Sequence, residues 1–198
     1  MSPAVPVRQR LAGVVIGGSA GGIEALSTLL PALAPEIGVP VIIVLHLPRE
    51  RPSLLSEIFG NLCRLPVREA QDKEPALPGV VYVAPPDYHL LLDRGPTLAL
   101  SVDEPVHFSR PSIDVLFESA ADALGAGALG IVLSGGNEDG ARGLAAIGER
   151  GGVTVVQQPA DARAALMPQA ALAFGPVQHT LTAVEIAALL AGLGGAAR

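Results

Sequence analysis

A short apolar stretch that runs directly into a glycine-rich turn is the feature that most limits how this chain can fold. Residues 11–16 are apolar, and residues 17–22 read Gly-Gly-Ser-Ala-Gly-Gly. Apolar side chains then recur at helical spacing, at Ile23, Leu26, Leu29, Leu30 and Leu33. The pattern predicts a buried strand, a tight turn that carries Ser19, and a helix whose free N–H groups point back towards the serine. Such a turn suits either an exposed nucleophile or a bound anion.

The succession of an apolar strand and a helix recurs along the chain. A continuous apolar run predicts a strand at residues 39–45, and further strands are predicted at residues 65–69, 80–84, 130–133, 152–157 and 178–181. Helices are predicted at residues 54–62, 112–124, 141–149 and 167–174. Ser112 is a natural N-cap, and Thr182 with Glu185 forms a capping box for a last helix. Buried strands that alternate with helices predict an α/β fold, namely a doubly wound, mostly parallel sheet with helices on both faces.

A single small antiparallel element is expected outside that sheet. Residues 90–92 and 98–100 are apolar, and they flank a turn near Asp93-Arg94-Gly95-Pro96. Two short apolar runs around a turn of this composition are typical of a hairpin.

Composition and charge exclude several classes of function. The 198 residues, 49% of them hydrophobic, can bury one core, so we expect an extension at residues 1–10 and a single domain at residues 11–198. The 13 Lys and Arg residues are scattered and the net charge is −6, which argues against nucleic-acid or anionic-membrane partners. Cys63 is the only cysteine, which excludes an internal disulfide or a cysteine-cluster metal site and fits a cytosolic protein. The sequence predicts no signal peptide and no membrane insertion.

Three polar residues lie just past the carboxyl ends of three predicted strands: Ser19, His46 and Asp139. A doubly wound sheet brings those ends to one edge, where such sheets bind their ligands. A serine hydroxyl is too weakly acidic to attack unaided, so it needs a histidine base and a carboxylate that orients the histidine. The sequence therefore predicts a serine hydrolase with Ser19 as nucleophile, His46 as base and Asp139 as the orienting carboxylate.

Each of these residues also has an ordinary structural explanation. Ser19 and Asp139 are residue types favoured as N-caps of the helices that follow their turns, and a cap is the expected role of Asp139 taken alone. His46 is equally explained as a hydrogen-bonded, partly buried histidine. Catalysis is favoured by the coincidence of all three residue types at strand ends, two of them within the glycine-rich turns at residues 17–22 and 134–140.

Other functions of the first glycine-rich turn agree less well with its amino-acid sequence. Residues 17–22 lack the G-x-G-x-x-G order, and His46 stands where a dinucleotide site needs an acidic residue. The turn continues with Ile23 and Glu24 instead of Lys and Ser or Thr, which excludes a P-loop. An ordinary α/β-hydrolase has its acid before its histidine and would have to use His179 or another late histidine. An anion site at the helix N-terminus remains open.

Six segments, taken together and in order, are far more specific than any single motif. They read Val-Val-Ile-Gly-Gly-Ser-Ala-Gly-Gly at 14–22, His-Leu-Pro at 46–48, Val-Tyr-Val-Ala-Pro at 81–85, Phe-Ser-Arg-Pro-Ser-Ile-Asp-Val-Leu-Phe at 108–117, Leu-Ser-Gly through Asp-Gly-Ala at 133–141, and Met-Pro at 167–168. These segments resemble the catalytic domain of the chemotaxis protein-glutamate methylesterases, the CheB family, and the resemblance extends over nearly the whole chain. Carried over position by position, the family's triad falls on Ser19, His46 and Asp139.

The resemblance implies a reaction and a partner. The family hydrolyses glutamate γ-methyl esters on the helical cytoplasmic part of chemoreceptors, releases methanol, and often deamidates particular glutamines. The implied roles are attack on the ester carbonyl by Ser19, proton transfer to His46, and stabilisation of the oxyanion by the backbone N–H groups of Ala20 and Gly136. The reaction as implied needs no metal and no cofactor.

The chain departs from the family pattern at the second glycine-rich turn. Where the family usually has Leu-Thr-Gly-Met-Gly, residues 133–137 read Leu-Ser-Gly-Gly-Asn. Gly136 keeps a backbone donor without the methionine side chain, and Asn137 is tolerable because Asn enters the left-handed region more readily than most residues. Ala20 stands where many members carry Thr. No receiver domain is predicted, so a separate regulatory chain is expected. An esterase for a different ester and a catalytically silent scaffold remain open as further hypotheses.

Overall fold

The computed structural model describes residues 11–46 and 54–194. The predicted extension at residues 1–10 and the Leu-Pro pair after His46 lie outside the described residues. The strands are β1 Gly13–Gly18, β2 Val41–Leu45, β3 Val67–Glu69, β4 Val81–Val83, β5 His89–Asp93, β6 Thr97–Ser101, β7 Ala128–Val132, β8 Val153–Gln157 and β9 His179–Leu181. The helices are α1 Gly22–Leu29, α2 Leu55–Gly60, α3 Ile113–Leu124, α4 Ala141–Glu149, α5 Leu166–Phe174 and α6 Ala183–Leu193.

Seven of these strands form one parallel sheet in the order β3-β4-β2-β1-β7-β8-β9. Strands β5 and β6 form the separate antiparallel hairpin. The predicted fold class, a doubly wound parallel sheet with a small hairpin, is therefore confirmed. Strands β2, β3, β4, β8 and β9 are one or two residues shorter than predicted, whereas β5, β6 and β7 are longer. Strand β1 lies two residues later than predicted and includes Gly17 and Gly18 of the predicted turn.

The sheet has a hydrophobic core on each face, because side chains alternate along every strand. Val14 and Ile16 of β1 belong to the core covered by α1, α2 and α6, whereas Val15 belongs to the core formed with α3, α4, α5 and the hairpin. Burying one such side chain completely contributes about 1.5–3 kcal/mol. The continuous apolar runs therefore indicate strands that are covered on both sides, as the sequence predicts.

Strand β1 occupies the centre of the sheet, and the direction of winding reverses beside it. The chain leaves β1 towards β2 on one side and returns later through β7 on the other side. Ligands of doubly wound sheets bind at such a switch point, beyond the carboxyl ends of the strands. The two loops that diverge here are the two glycine-rich turns.

The helix ends show how local sequence fixes these elements. Ser112 caps α3, with its side chain accepting from the N–H of Val115 at 3.5 Å, and Thr182 with Glu185 forms the predicted capping box of α6. The first helix ends at Leu29 and continues as a 3₁₀ turn over Leu30–Ala32, because Pro31 lacks the N–H that another α-helical turn would need. No helix within residues 11–46 and 54–194 is long and apolar enough to cross a membrane.

Candidate active site

The three predicted site residues follow three adjacent strands. His46 comes directly after β2, Ser19 directly after β1, and Asp139 closes the loop after β7. The register pairs Gly18 with Leu45, so Ser19 and His46 occupy corresponding positions on neighbouring strands. The N–H of His46 donates to the carbonyl of Gly18 at 3.1 Å, which extends the ladder past the end of β2. Ser19 and His46 are therefore held side by side at the carboxyl edge of the sheet.

His46 and Asp139 are joined by a short hydrogen bond. Nε2 of His46 lies 2.7 Å from Oδ2 of Asp139, whose side chain is fully buried, whereas the His46 side chain is 12% exposed. An imidazole that donates through Nε2 keeps the lone pair of Nδ1 available as a base. Nδ1 lies 3.5 Å from Oγ of Ser109. The base atom of this site is therefore Nδ1 of His46.

Asp139 is held by four hydrogen bonds that saturate both of its oxygens. Oδ1 accepts from Oγ of Ser112 at 2.8 Å and from the N–H of Asp114 at 2.9 Å, and Oδ2 accepts from the N–H of Ile113 at 2.7 Å and from His46. Burial by itself raises the pKa of Asp139, but the hydrogen bonds from His46, Asp114 and Ile113 outweigh it and hold the pKa below its usual range. Asp139 is therefore ionised next to the imidazole.

The cap explanations of Ser19 and Asp139 are wrong. The N-caps of α1 and α4 are Gly21 and Gly140, both in the left-handed region with φ of 82° and 96°, so in neither helix does the N-cap residue itself supply a side-chain cap. Asp139 instead binds the first N–H groups of α3, a helix from an earlier part of the chain. Its carboxylate thus acts as an anion at the N-terminus of α3, where the helix dipole favours negative charge.

Asp114 makes the reciprocal contact. It lies in the first turn of α3, and its Oδ1 accepts the N–H groups of Gly140 at 3.0 Å and Gly143 at 2.7 Å, at the start of α4. A Cβ at Gly143 would lie 2.5 Å from Cβ of Phe117, so glycine is what lets α4 approach α3 closely enough for this bond. The two aspartates therefore each bind the helix start that adjoins the other.

The second oxygen of Asp114 has different surroundings. Oδ2 is buried without a hydrogen bond among the described residues, and Nε2 of His107 lies 3.3 Å from it. Burial first, and then the charge of Asp139, raise the pKa of Asp114, while the N–H of Gly143 and the side chains of Arg142 and His107 act in the opposite direction. The outcome is a carboxyl group that holds its proton to higher pH than usual.

His107, Asp114 and Asp139 also satisfy a distance criterion for a metal site. One potential ligand atom from each lies within 4.8 Å of the other two. Each oxygen of Asp139 already accepts two hydrogen bonds, and so does Oδ1 of Asp114. Within this cluster of described residues, only Oδ2 of Asp114 and the ring of His107 keep free coordinating capacity, which is fewer ligands than a bound metal ion ordinarily needs.

Ser19 is fixed through its backbone. Its N–H donates to the carbonyl of Ser134 at 2.8 Å, and its carbonyl accepts the N–H of Gly22 at 2.8 Å. Among the contacts described for residues 11–46 and 54–194, none joins Oγ of Ser19 to His46. The structure thus links two of the three predicted residues by a hydrogen bond and positions the third at the neighbouring strand end.

The two predicted backbone donors lie on the exposed rims of the two glycine-rich turns. Ala20 and Gly136 are both exposed, and a Cβ built on Gly136 would meet no atom within 4 Å in the described part of the chain. The turn does not require a left-handed Asn137, because its positive φ belongs to Gly140. The side chain of Asn137 accepts the N–H of Asp139 at 3.2 Å and so helps to hold the carboxylate in place.

Sequence reasoning missed several residues of this site. Ser109, Asp114 and Ser134 were not singled out for a role at the site, and Ser112 was assigned only as the cap of α3. The segment at residues 108–117 did carry a signal, since polar residues recur there immediately before a helix. That signal is ambiguous, because the same residue types are favoured at any helix start.

The fold and the imidazole bound to a buried carboxylate at the switch point define a class, the α/β proteins with a hydrolase-type site. Residues 14–190 match the family model described as CheB methylesterase, and the chain belongs to this family. A solved structure of the catalytic domain of Thermotoga maritima CheB methylesterase superposes with a TM-score of 0.86 at 28% identity, covering 92% of this chain and 98% of that one.

Curated relatives agree with this assignment. The chain is 46% identical over 176 residues to a candidate protein-glutamate methylesterase/protein-glutamine glutaminase of Leptospira interrogans, covering 89% of this chain and 91% of that protein. It is 39% identical over 179 residues to the protein-glutamate methylesterase/protein-glutamine glutaminase of group 3 operon of Bradyrhizobium diazoefficiens, covering 89% of this chain. The match spans 48% of the Bradyrhizobium protein, so the chain corresponds to about half of that relative.

Proposed function

We propose that this protein is a serine hydrolase that removes methyl groups from glutamate γ-methyl esters on the cytoplasmic helices of chemoreceptors. The observation that carries the proposal is the 2.7 Å hydrogen bond between His46 and the buried, ionised Asp139. His46 lies at the position that corresponds to Ser19 on the neighbouring strand, and the chain belongs to the CheB methylesterase family. The proposed substrate places the protein in the cytoplasm.

In the first half of the reaction, Oγ of Ser19 attacks the ester carbonyl carbon and its proton passes to Nδ1 of His46. The negative charge of the tetrahedral intermediate falls on the former carbonyl oxygen, where the N–H groups of Ala20 and Gly136 stabilise it. Loss of one donor of this kind typically costs about 10²–10³ in rate. Asp139 stabilises the imidazolium that forms and retains its own negative charge.

In the second half, the imidazolium of His46 returns its proton to the departing oxygen, and methanol leaves. Water then attacks the acyl-enzyme and gives a proton to Nδ1, which passes it back to Ser19 as the glutamate carboxylate is released. A glutamine side chain follows the same course with ammonia as the leaving group. Deamidase activity is therefore part of the proposal.

Methanol release from methyl-labelled chemoreceptor tests the proposal. Ser19→Ala is expected to lower turnover by about 10⁶, the loss seen when a nucleophile of this type is removed. Ser27→Ala is the matched control, because Ser27 lies on α1 and its hydroxyl donates to the carbonyl of Ile23 within the same helix at 2.8 Å. Methanol release by the wild type that is no faster than by Ser19→Ala would sink the proposal.

A second candidate function is hydrolysis of a different ester by the same residues. The open space at Gly136, where a side chain would meet no described atom within 4 Å, favours it because the second turn leaves room for another substrate. A fluorophosphonate probe should label Ser19 under both functions, and a panel of protein and small esters separates them. A folded wild type that does not label would instead favour a catalytically silent scaffold.

A further inference from the structure

The two glycine-rich turns are joined by one buried residue, Ser134. It lies just past β7 and is 1% exposed. Its Oγ donates to the carbonyl of Ala20 at 2.6 Å and accepts the N–H of Ala164 at 2.9 Å. Its own carbonyl accepts the N–H of Ser19 at 2.8 Å. A single side chain and its backbone thus hold the chain immediately before and immediately after the nucleophile.

These bonds determine the direction of the Ala20 N–H. The Ser19–Ala20 peptide is planar, so its N–H points opposite to the Ser19 carbonyl, which the N–H of Gly22 holds at 2.8 Å. The next peptide is held at the Ala20 carbonyl by the hydroxyl of Ser134. With both neighbouring peptides anchored, the backbone of Ala20 has little freedom to turn its N–H away.

The close contact between Ser134 and the Ala20 carbonyl requires a glycine at the next position, residue 21. Gly21 has a φ of 82°, and a Cβ there would lie 2.6 Å from Oγ of Ser134. Without the hydroxyl of Ser134, the Ala20 carbonyl would lose this donor next to a residue with the conformational freedom of glycine. The turn would then have one restraint fewer where it carries the candidate oxyanion donor.

Ser134 also anchors the turn that carries the second candidate donor. Its N–H donates to Oε1 of Gln157 at 2.9 Å, and the neighbouring Gly135 donates to the carbonyl of Ala164 at 3.0 Å. Gly136 follows directly. Both halves of the proposed oxyanion site are therefore attached to the same buried serine.

We propose that Ser134 is a positioning residue, whose hydroxyl aligns the Ala20 and Gly136 N–H groups before substrate arrives. It contacts neither substrate nor a transferred proton. The role rests on the proposed ester hydrolysis by Ser19. Preorganised donors act strongly because they need no reorganisation at the moment of reaction, and a displacement of about 1 Å can cost about 10² in rate.

Three variants test this role with matched chemistry. Ser134→Ala removes the hydroxyl and is expected to lower kcat by up to about 10², with KM little changed, because the donors act mainly in the transition state. Ser134→Thr restores the hydroxyl and is expected to recover most of kcat. Ser119→Ala is the control, since Ser119 also bridges two segments, donating to the carbonyl of Leu116 at 2.8 Å and accepting from Leu92 at 3.0 Å, away from the site. It is expected to lower stability and leave kcat unchanged.

A second measurement separates this inference from the proposed function. The backbone ¹⁵N order parameters of Ala20 and Gly136 are expected to fall in Ser134→Ala, from the range of about 0.85 for rigid backbone, and to stay unchanged in Ser119→Ala. A wild type without esterase activity would remove the proposed function, and unchanged order parameters in Ser134→Ala would overturn the inference in either case. An active wild type whose folded Ser134→Ala variant keeps its kcat would overturn the inference alone.

Discussion

Asp139 and Asp114 are two buried aspartates that each bind the start of a helix but have pKa values shifted in opposite directions. Asp139 binds the N–H groups at the start of α3, and Asp114 binds those at the start of α4. Their side chains are 0% and 1% exposed. Even so, the pKa of Asp139 is lowered and that of Asp114 is raised.

The two pKa shifts differ in direction because the Oδ2 atoms of Asp139 and Asp114 have different hydrogen-bond partners. Each carboxylate oxygen of Asp139 accepts two hydrogen bonds, one of them from His46, whereas among the described residues Oδ2 of Asp114 has only His107 at 3.3 Å and Arg142 at 3.9 Å. Burial disfavours the charged form of both carboxyl groups, so the larger number of hydrogen-bond donors around Asp139 explains why its pKa is lowered while that of Asp114 is raised. The ionised Asp139 then raises the pKa of its neighbour. The arrangement therefore favours ionisation of Asp139, the aspartate that is hydrogen-bonded to the imidazole of His46.

The largest expected effect is a difference in kcat between variants of the two aspartates. Asp139→Asn is expected to lower kcat by about 10⁴, because an amide cannot hold the imidazole in the tautomer that leaves Nδ1 basic or stabilise the imidazolium. Asp114→Asn keeps an oxygen for Gly140 and Gly143 and is expected to lose far less. Methanol release and the rate of fluorophosphonate labelling at Ser19 measure both, with circular dichroism to verify folding. Equal losses of kcat in the two folded variants would show that Asp114 is as important for catalysis as Asp139.

The sequence predicts one member of this pair and not the other, and the reason is physical. Ser19, His46 and Asp139 stand out because each follows a strand, and parallel strands bring their ends together. Asp114 occupies the first turn of a helix, where an acidic residue is common, and nothing local indicates that it binds a different helix. The exchange of caps depends on the close approach of α3 and α4 at Gly143, which is a tertiary contact.

The same limit applies to Ser134. Its position after a strand and within a glycine-rich turn is visible in the sequence, but its hydroxyl contacts Ala20, which is far away along the chain. Strand and helix positions follow from periodicity within a short window. Side-chain hydrogen bonds between loops depend on strand order, here the pairing of β1 with β7, which periodicity does not encode.

The next largest effect concerns stability. Asp114→Ala removes the acceptor of two N–H groups at the buried start of α4, and loss of a cap typically costs about 0.5–2 kcal/mol. Asp114→Asn retains Oδ1 and is expected to lose only a small part of that. Urea unfolding of both variants and the wild type measures the difference. If Asn proves as destabilising as Ala, the charge of Asp114 matters more than its role as acceptor, and the comparison with Asp139 must be redrawn.

The smallest effect is a difference in how stability depends on pH. Because the pKa of Asp114 is raised on folding, the native state keeps this proton where the unfolded chain has lost it. Its stabilising contribution is complete below the ordinary pKa of aspartate and is lost as the pH rises through the raised value. Asp139 behaves in the opposite way, since its contribution is present above the ordinary pKa and is lost as the pH falls through the lowered value.

The wild type should therefore lose stability relative to Asp114→Asn as the pH rises from the ordinary pKa of aspartate through the raised pKa of Asp114. Above the raised pKa, the difference in stability between the two proteins should be constant. Urea unfolding of the two proteins in steps from about pH 3 to about pH 7 measures this, and a difference that changes in the opposite sense would mean that Asp114 is ionised as readily as Asp139.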